Sequence, residues 1–112
     1  MSGLTHILLY VRDMAAVIDF YKRLFDYKAH QIEGDRIVEL RPADTGAILL
    51  LHQAAKGQKQ GQAQTKLVFR VPDVDAFCTR HPEFGKIHNA DGYQFANTKD
   101  PAGNSVQVTT RP

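Results

Sequence analysis

One segment of this chain occurs twice. THILLYVRDMAAVIDF, starting at Thr5, aligns without gaps with TKLVFRVPDVDAFCTR, starting at Thr65, so that His6 falls opposite Lys66, Val11 opposite Val71 and Asp13 opposite Asp73. An internal repeat of this kind restricts the fold to two copies of one supersecondary unit. Each copy opens with branched and aromatic residues that favour a strand, then meets an aspartate placed to cap a helix. After Asp13, the residues Met14, Val17, Ile18, Tyr21, Leu24 and Phe25 fall on one stripe of an α-helix. After Asp73 the stripe is shorter, with Val74, Phe77 and Cys78. It stops near His81 because Pro82 disfavours helix in the residue before it.

Between the two starts, Lys28–Glu33, Arg36–Arg41 and Ala47–His52 read as strands, separated by the turn-prone Gly34/Asp35 and the loop from Pro42 to Gly46. The second half matches with Lys86–His88, Tyr93–Asn97 and Ser105–Thr109. Its turns fall at Asp91/Gly92 and at DPAGN, Asp100 to Asn104, where Pro fixes φ and Gly permits positive φ. The segment AAKGQKQGQAQ, Ala54 to Gln64, has no apolar period and reads as a solvated linker. The expectation is an α+β chain of two βαβββ modules, residues 4–53 and 65–112, within a single domain spanning 1–112.

A chain of 112 residues has the length of one domain, and 43% hydrophobic with 23% charged residues is an ordinary globular composition. A formal charge of +2, with no basic cluster interleaved with aromatics, argues against a nucleic-acid partner. The lone Cys78 cannot form an intrachain disulfide, no Cys/His zinc spacing is present, and its place on an apolar helix face suits a small core residue better than a reactive thiol. The apolar run in MSGLTHILLYVRDM is too short to span a bilayer and has no basic region before it, so neither membrane insertion nor secretion is expected. A cytoplasmic protein follows.

Side chains of a strand alternate between faces, so parity separates the helix-covered set from the rest. Ile7, Leu9 and Val11 would lie under the first helix, and Leu67, Phe69 and Val71 under the second. Val38, Leu40, Leu49, Leu51, Val106 and Val108 join them. The opposite parity carries His6, Tyr10, Glu39, Arg41, His52, Lys66, Arg70 and Gln107, among the apolar Leu8, Ile48, Leu50 and Val68. Antiparallel sheets often turn such a face simply to water. Apolar walls with a few convergent polar groups are also what ligand pockets have. His30, His81 and His88 have no matching role and read as surface or turn residues.

Together, the duplicated βαβββ unit, HILLYVRDM opening the first copy, FYKRLF on its helix and KDPAGNSVQV closing the second resemble the vicinal oxygen chelate superfamily of glyoxalases, bleomycin-resistance proteins and extradiol dioxygenases. The resemblance covers essentially the whole chain. It implies a cup-shaped mixed sheet with the helices on its convex face, a site on the concave face, and a homodimer. It also implies four metal-ligand positions, which fall here on His6, Leu50, Lys66 and Gln107. Only His6 keeps a strong ligand: leucine has no lone pair, lysine is cationic and glutamine is a weak neutral donor, whereas a divalent site needs three or four good donors. No cofactor is therefore expected. A displaced divalent metal on His6, His52 and Glu39 is the alternative.

Without a metal, the family's Lewis-acid chemistry loses its electrophile. Lys66, Arg70 and Arg41 would instead bring positive charge, suited to an anionic or polar small molecule through charge-assisted hydrogen bonds. Lys66 could equally be spent on Glu39 as a structural ion pair. Three functions stay open. The first is a binding protein of the bleomycin-resistance kind, with His6, Tyr10, Glu39, Arg41, Leu50, His52, Lys66, Arg70 and Gln107 as ligand-binding residues. The second is a glyoxalase-like lyase or isomerase, or a dioxygenase-like enzyme, metal-dependent or using His6 as general base, since imidazole titrates near neutrality. The third is a dimeric scaffold without ligand.

Overall fold

The computed structural model describes residues 2–31 and 33–112 and resolves the chain into two compact units, Met1–Gln60 and Gly61–Pro112. Each is a βαβββ module. The first runs β1 (His6–Val11), α1 (Met14–Phe25), β2 (Lys28–Gln31), β3 (Ile37–Arg41) and β4 (Ile48–Gln53). The second runs β5 (Lys66–Arg70), α2 (Val74–Arg80), β6 (His88–Ala90), β7 (Tyr93–Lys99) and β8 (Ser105–Thr109). The sheets are mixed and open, ordered β1-β4-β3-β2 and β5-β8-β7-β6, with β1 parallel to β4, β5 parallel to β8 and the other pairs antiparallel. The α+β reading stands, as two four-stranded sheets.

Both helices start where the aspartates place them. The Asp13 and Asp73 carboxylates each accept from a backbone N–H in the first turn, those of Ala16 and Ala76, at 3.0 Å. Such a cap is worth about 1 kcal/mol. At the far end of α1, Asp26 takes a left-handed conformation, φ 57°, and its N–H bonds to Lys22 O, which closes the last turn. The buried stripe is Val17, Phe20, Tyr21 and Leu24, so Phe20 belongs to the core while Ile18 and Phe25 sit at its margin. In α2 only Val74 and Phe77 are buried. Cys78 is half-buried, and burial together with the Asp75 carboxylate pushes its thiol pKa up, which favours an inert thiol.

The sheets bury the expected parity. Val11, Val38, Leu40, Leu49 and Leu51 are buried in the first module, as are Val106 and Val108 in the second. Full burial of such a side chain contributes about 1.5–3 kcal/mol. Ile7, Leu9, Leu67 and Phe69 on the two edge strands are only partly covered. Because α2 is short, Phe84 from the segment behind it fills the second core, edge-on to Phe77 at 5.6 Å. Gly85 N–H to Asn97 O and the Thr98 hydroxyl to Glu83 O hold that segment to β7.

Some boundaries differ from the sequence expectation. The second strand ends at Gln31, Glu33 lies in the turn, and Ile32 is outside the described residues. The sixth strand is His88–Ala90 rather than Lys86–His88, because the tight turn at Asp91–Gly92 sets Ala90 opposite Tyr93 and pairing extends back only to His88. The seventh runs on to Lys99, since the buried Asp100 organises the turn behind it. The Asp100 carboxylate accepts from the backbone N–H of Ala102 and Asn104 and from the Asn104 amide.

Residues 54–64 contain no helix or strand and are mostly exposed, as a solvated linker is, but several of them are tied down. Ala54 is buried and its N–H bonds to Val11 O. Gln60 accepts from the Arg12 N–H, and the Arg12 guanidinium donates to Gln58 O. Gly61, at φ +67°, lies so close to the turn after Asp100 that a Cβ would stand 2.7 Å from Ala102 O. Glutamine amides and close backbone approach have no periodicity to betray them.

Candidate functional site

Register turns parity into rows across each open face. In the first module, His6 sits beside Ile48, Leu8 beside Leu50 and then Glu39 and His30, and Tyr10 beside His52 and then Ile37. Arg41 follows Glu39 on the same side of β3, and its Nε lies 3.0 Å from Glu39 Oε1. In the second module the rows are Lys66, Ser105, Lys99; then Val68, Gln107, Asn97; then Arg70, Thr109, Phe95, His88. Among the described residues, these faces carry most of the exposed large hydrophobic ones: Leu8 is 40% exposed, Tyr10 44% and Val68 55%, joined by Leu4 near the N-terminus.

His6, Tyr10, Glu39, Arg41, Leu50 and His52 thus share one face, and Lys66, Arg70 and Gln107 share the other. Four further residues belong with them. His30 stands beside Glu39, Asn97 and Lys99 lie on β7, and His88 stacks on Phe95 at 4.9 Å with the rings 17° apart. His30 and His88 are exposed surface residues, as expected, and they lie on strands rather than in turns, on the open faces. The signal was strand parity in β2 and β6, weak because both strands are short and exposed.

The histidines differ in state. The Nδ1 of His52 lies 2.9 Å from the Gln53 carbonyl oxygen, which can only accept, so Nδ1 is the donor and the tautomer with its lone pair on Nε2 is the one this contact favours. Its ring tilts against Tyr10 at 5.3 Å. The Nδ1 of His6 faces the Thr5 hydroxyl at 2.6 Å, a partner that serves either tautomer.

The charged groups find partners inside their own modules. Glu39 accepts from Arg41, and Lys66 donates to Asn97 Oδ1 at 3.1 Å. Gln107 Nε2 donates to the same oxygen at 3.0 Å. Arg70 Nε donates to Arg111 O, and the Arg111 guanidinium lies over the Tyr93 ring at 5.0 Å.

The four family ligand positions do not fit a metal. Leu50 has no donor atom, the Lys66 ammonium has no lone pair, and Gln107 turns an N–H, not its oxygen, toward Asn97. The displaced set is spread along the strands. His6 pairs with Ile48, and His52 lies four residues further along the same strand, about 13 Å at the usual strand rise. Among the described residues no three His, Cys, Asp or Glu side chains group as a metal-holding cluster.

This architecture recurs among known proteins. An antibiotic-binding protein, TnmS3 from Streptomyces sp. CB03234, is similar at 22% identity over 96% of this chain and 94% of its own, with a TM-score of 0.76. Oxidase ChaP-H2 is 20% identical over 100% and 95%, with a TM-score of 0.78. A lactoylglutathione lyase from Agrobacterium tumefaciens is 25% identical over 97% and 93%, with a TM-score of 0.70. No curated protein matches the chain by sequence. Residues 3–108 match the family described as the Glyoxalase/Bleomycin resistance protein/Dioxygenase superfamily, and with the duplicated βαβββ module this places the chain in that superfamily.

Proposed function

We propose that this protein binds a small polar or anionic organic molecule on the open faces of its sheets, without using the family's metal chemistry. The observation that carries the reading is the fate of the family ligand positions: Leu50 is apolar, and Lys66 and Gln107 are hydrogen-bond donors to Asn97. A surface of donors and a cation suits an oxyanion or carbonyl oxygen rather than a metal ion. The exposed Val68 offers apolar contact beside it, and Leu8 and Tyr10 offer apolar contact on the open face of the first module. The fold likeness to an antibiotic-binding protein supports the same reading.

Metal analysis of protein purified without chelator or metal-affinity tag tests it. Zinc, nickel, iron and manganese are expected well below one per chain. Any of them at one per chain overturns the proposal.

A lyase or isomerase is the second reading, favoured by the lone pair on His52 Nε2. It assigns the base to His52, with His6 as the alternative. Exchange of the working histidine for alanine then abolishes turnover and leaves folding intact.

A homodimer in the cytoplasm accompanies either reading. It is supported by the edge strands β1 and β5, whose Ile7, Leu9, Leu67 and Phe69 are only partly covered, and by the single cysteine. Analytical ultracentrifugation that finds only monomer at micromolar concentration removes the dimer.

A further inference from the structure

We propose that Lys66, Asn97 and Gln107 form a carboxylate site on the open face of the second sheet, and that Asn97 sets its polarity. The inference rests on the reading of the open faces as ligand surfaces and names the chemical group that one of them takes.

The argument starts from Lys66. An ammonium has three N–H donors and no acceptor, so the Asn97 atom 3.1 Å away must be the amide oxygen. That oxygen also receives Gln107, at 3.0 Å, and an oxygen cannot donate, so the facing Gln107 atom must be the amide nitrogen. One lysine charge therefore orients both amides, which X-ray maps at ordinary resolution could not tell apart from their flipped forms.

What remains is donor-rich. The Asn97 oxygen is used on both sides, leaving its NH2 group, the second N–H of Gln107 and the other Lys66 protons to meet a ligand. Strands β5 to β8 carry no aspartate or glutamate that could neutralise Lys66. Gln107 and Asn97 are direct cross-strand partners, with Val68 on the far side of Gln107, so the donors stand side by side next to an apolar wall. A planar monoanion with two oxygens and an apolar body matches this set: charge-assisted bonds fall on the oxygens and apolar contact on the remainder. Lys99 lies in the row of Lys66, across Ser105, and makes inorganic phosphate the competing anion.

Proton–nitrogen correlation spectra of the whole protein, read at the side-chain NH2 signals of Asn97 and Gln107, test the site. The probes are benzoate, neutral benzamide and inorganic phosphate at constant ionic strength. Benzoate is expected to give saturable shifts at both amides, and benzamide none. Lys66→Met and the near-isosteric Asn97→Asp, whose new carboxylate would pair with Lys66, are each expected to weaken benzoate about tenfold or more. Equal shifts with benzamide, saturation by phosphate alone, or unchanged binding in Asn97→Asp would overturn the site. Benzoate shifts confined to His6, Tyr10 and His52 overturn it while leaving the broader ligand-face reading standing. No shift anywhere removes both.

Discussion

The two modules share one scaffold and carry opposite chemistry at matching places. The positions of Glu39 and Asn97 are equivalent, each lying across the sheet from the fourth strand of its module, opposite Leu50 and Gln107. In the first module Glu39 closes on Arg41, two residues away on its own strand. In the second, Asn97 reaches across strands to gather Lys66 and Gln107. The first face thus sets a carboxylate against Arg41, with Lys28 opposite it, and is rich in imidazole, whereas the strands of the second carry no carboxylate and its face is rich in amides. A duplicated fold keeps its buried parity because both copies need a core, whereas the exposed parity is free to diverge.

The shared scaffold breaks with the largest effect. Leu51→Ala leaves a cavity in the first core and is expected to cost about 2–5 kcal/mol. Val108→Ala, at the matching place in the second, should cost less because fewer atoms are removed. Urea unfolding of both variants measures the pair, and a larger loss at Val108 would show that the shorter α2 leaves the second core the more fragile.

The turns before the last strand of each module differ next. Asp100→Ala strips the acceptor from the N–H groups of Ala102 and Asn104 and is expected to cost about 1–3 kcal/mol. Asp44→Ala in the exposed loop of the first module should fall within about 0.5 kcal/mol. Equal losses would break the contrast.

The first module instead ties its loop through Tyr27, whose buried hydroxyl donates to Ala47 O at 2.8 Å and whose pKa burial raises. Tyr27→Phe should cost about 1 kcal/mol. Because the folded chain holds this proton more tightly than the unfolded one, its stability contribution is full below the ordinary phenol range and is lost as pH rises toward the raised value. Unfolding midpoints followed into alkaline pH should fall less steeply in Tyr27→Phe than in the parent. An unchanged slope would show that Tyr27 is not the group responsible.

The smallest change in stability, with the most to say about ligands, is Glu39→Gln. Loss of this partly exposed pair should move stability by no more than about 1 kcal/mol. It leaves Arg41 without its counter-ion and makes the first face resemble the second. Benzoate shifts should then spread to residues near Arg41, and their absence would show that the arginine side chain cannot turn toward a ligand.

Much of this was legible in the residues themselves. The repeat placed β1, α1, β5 and α2, the aspartates placed both helix starts, and matching the fourth strand to the repeat separated Leu49 and Leu51 from Leu50 and His52. The boundaries of β2 and β6 were less so, because both strands are short and exposed and carry little apolar pattern. Phe84 gave no periodic signal because it enters the core from an irregular segment. Asn97 was passed over for a related reason: a neutral amide on a strand shows nothing in sequence of which donors it will meet.

The sequence by itself determined the module, its duplication and the two parities, since these follow from local propensity and from the need to bury apolar surface. Only the tertiary structure decided which side chains of the exposed parity stand in one row. Cross-strand register joins residues far apart in the chain, such as Lys66, Asn97 and Gln107, and separates His6 from His52, which parity alone had placed together. Hydrogen-bond direction came with it, because whether an amide offers its oxygen or its nitrogen depends on the neighbour that register supplies.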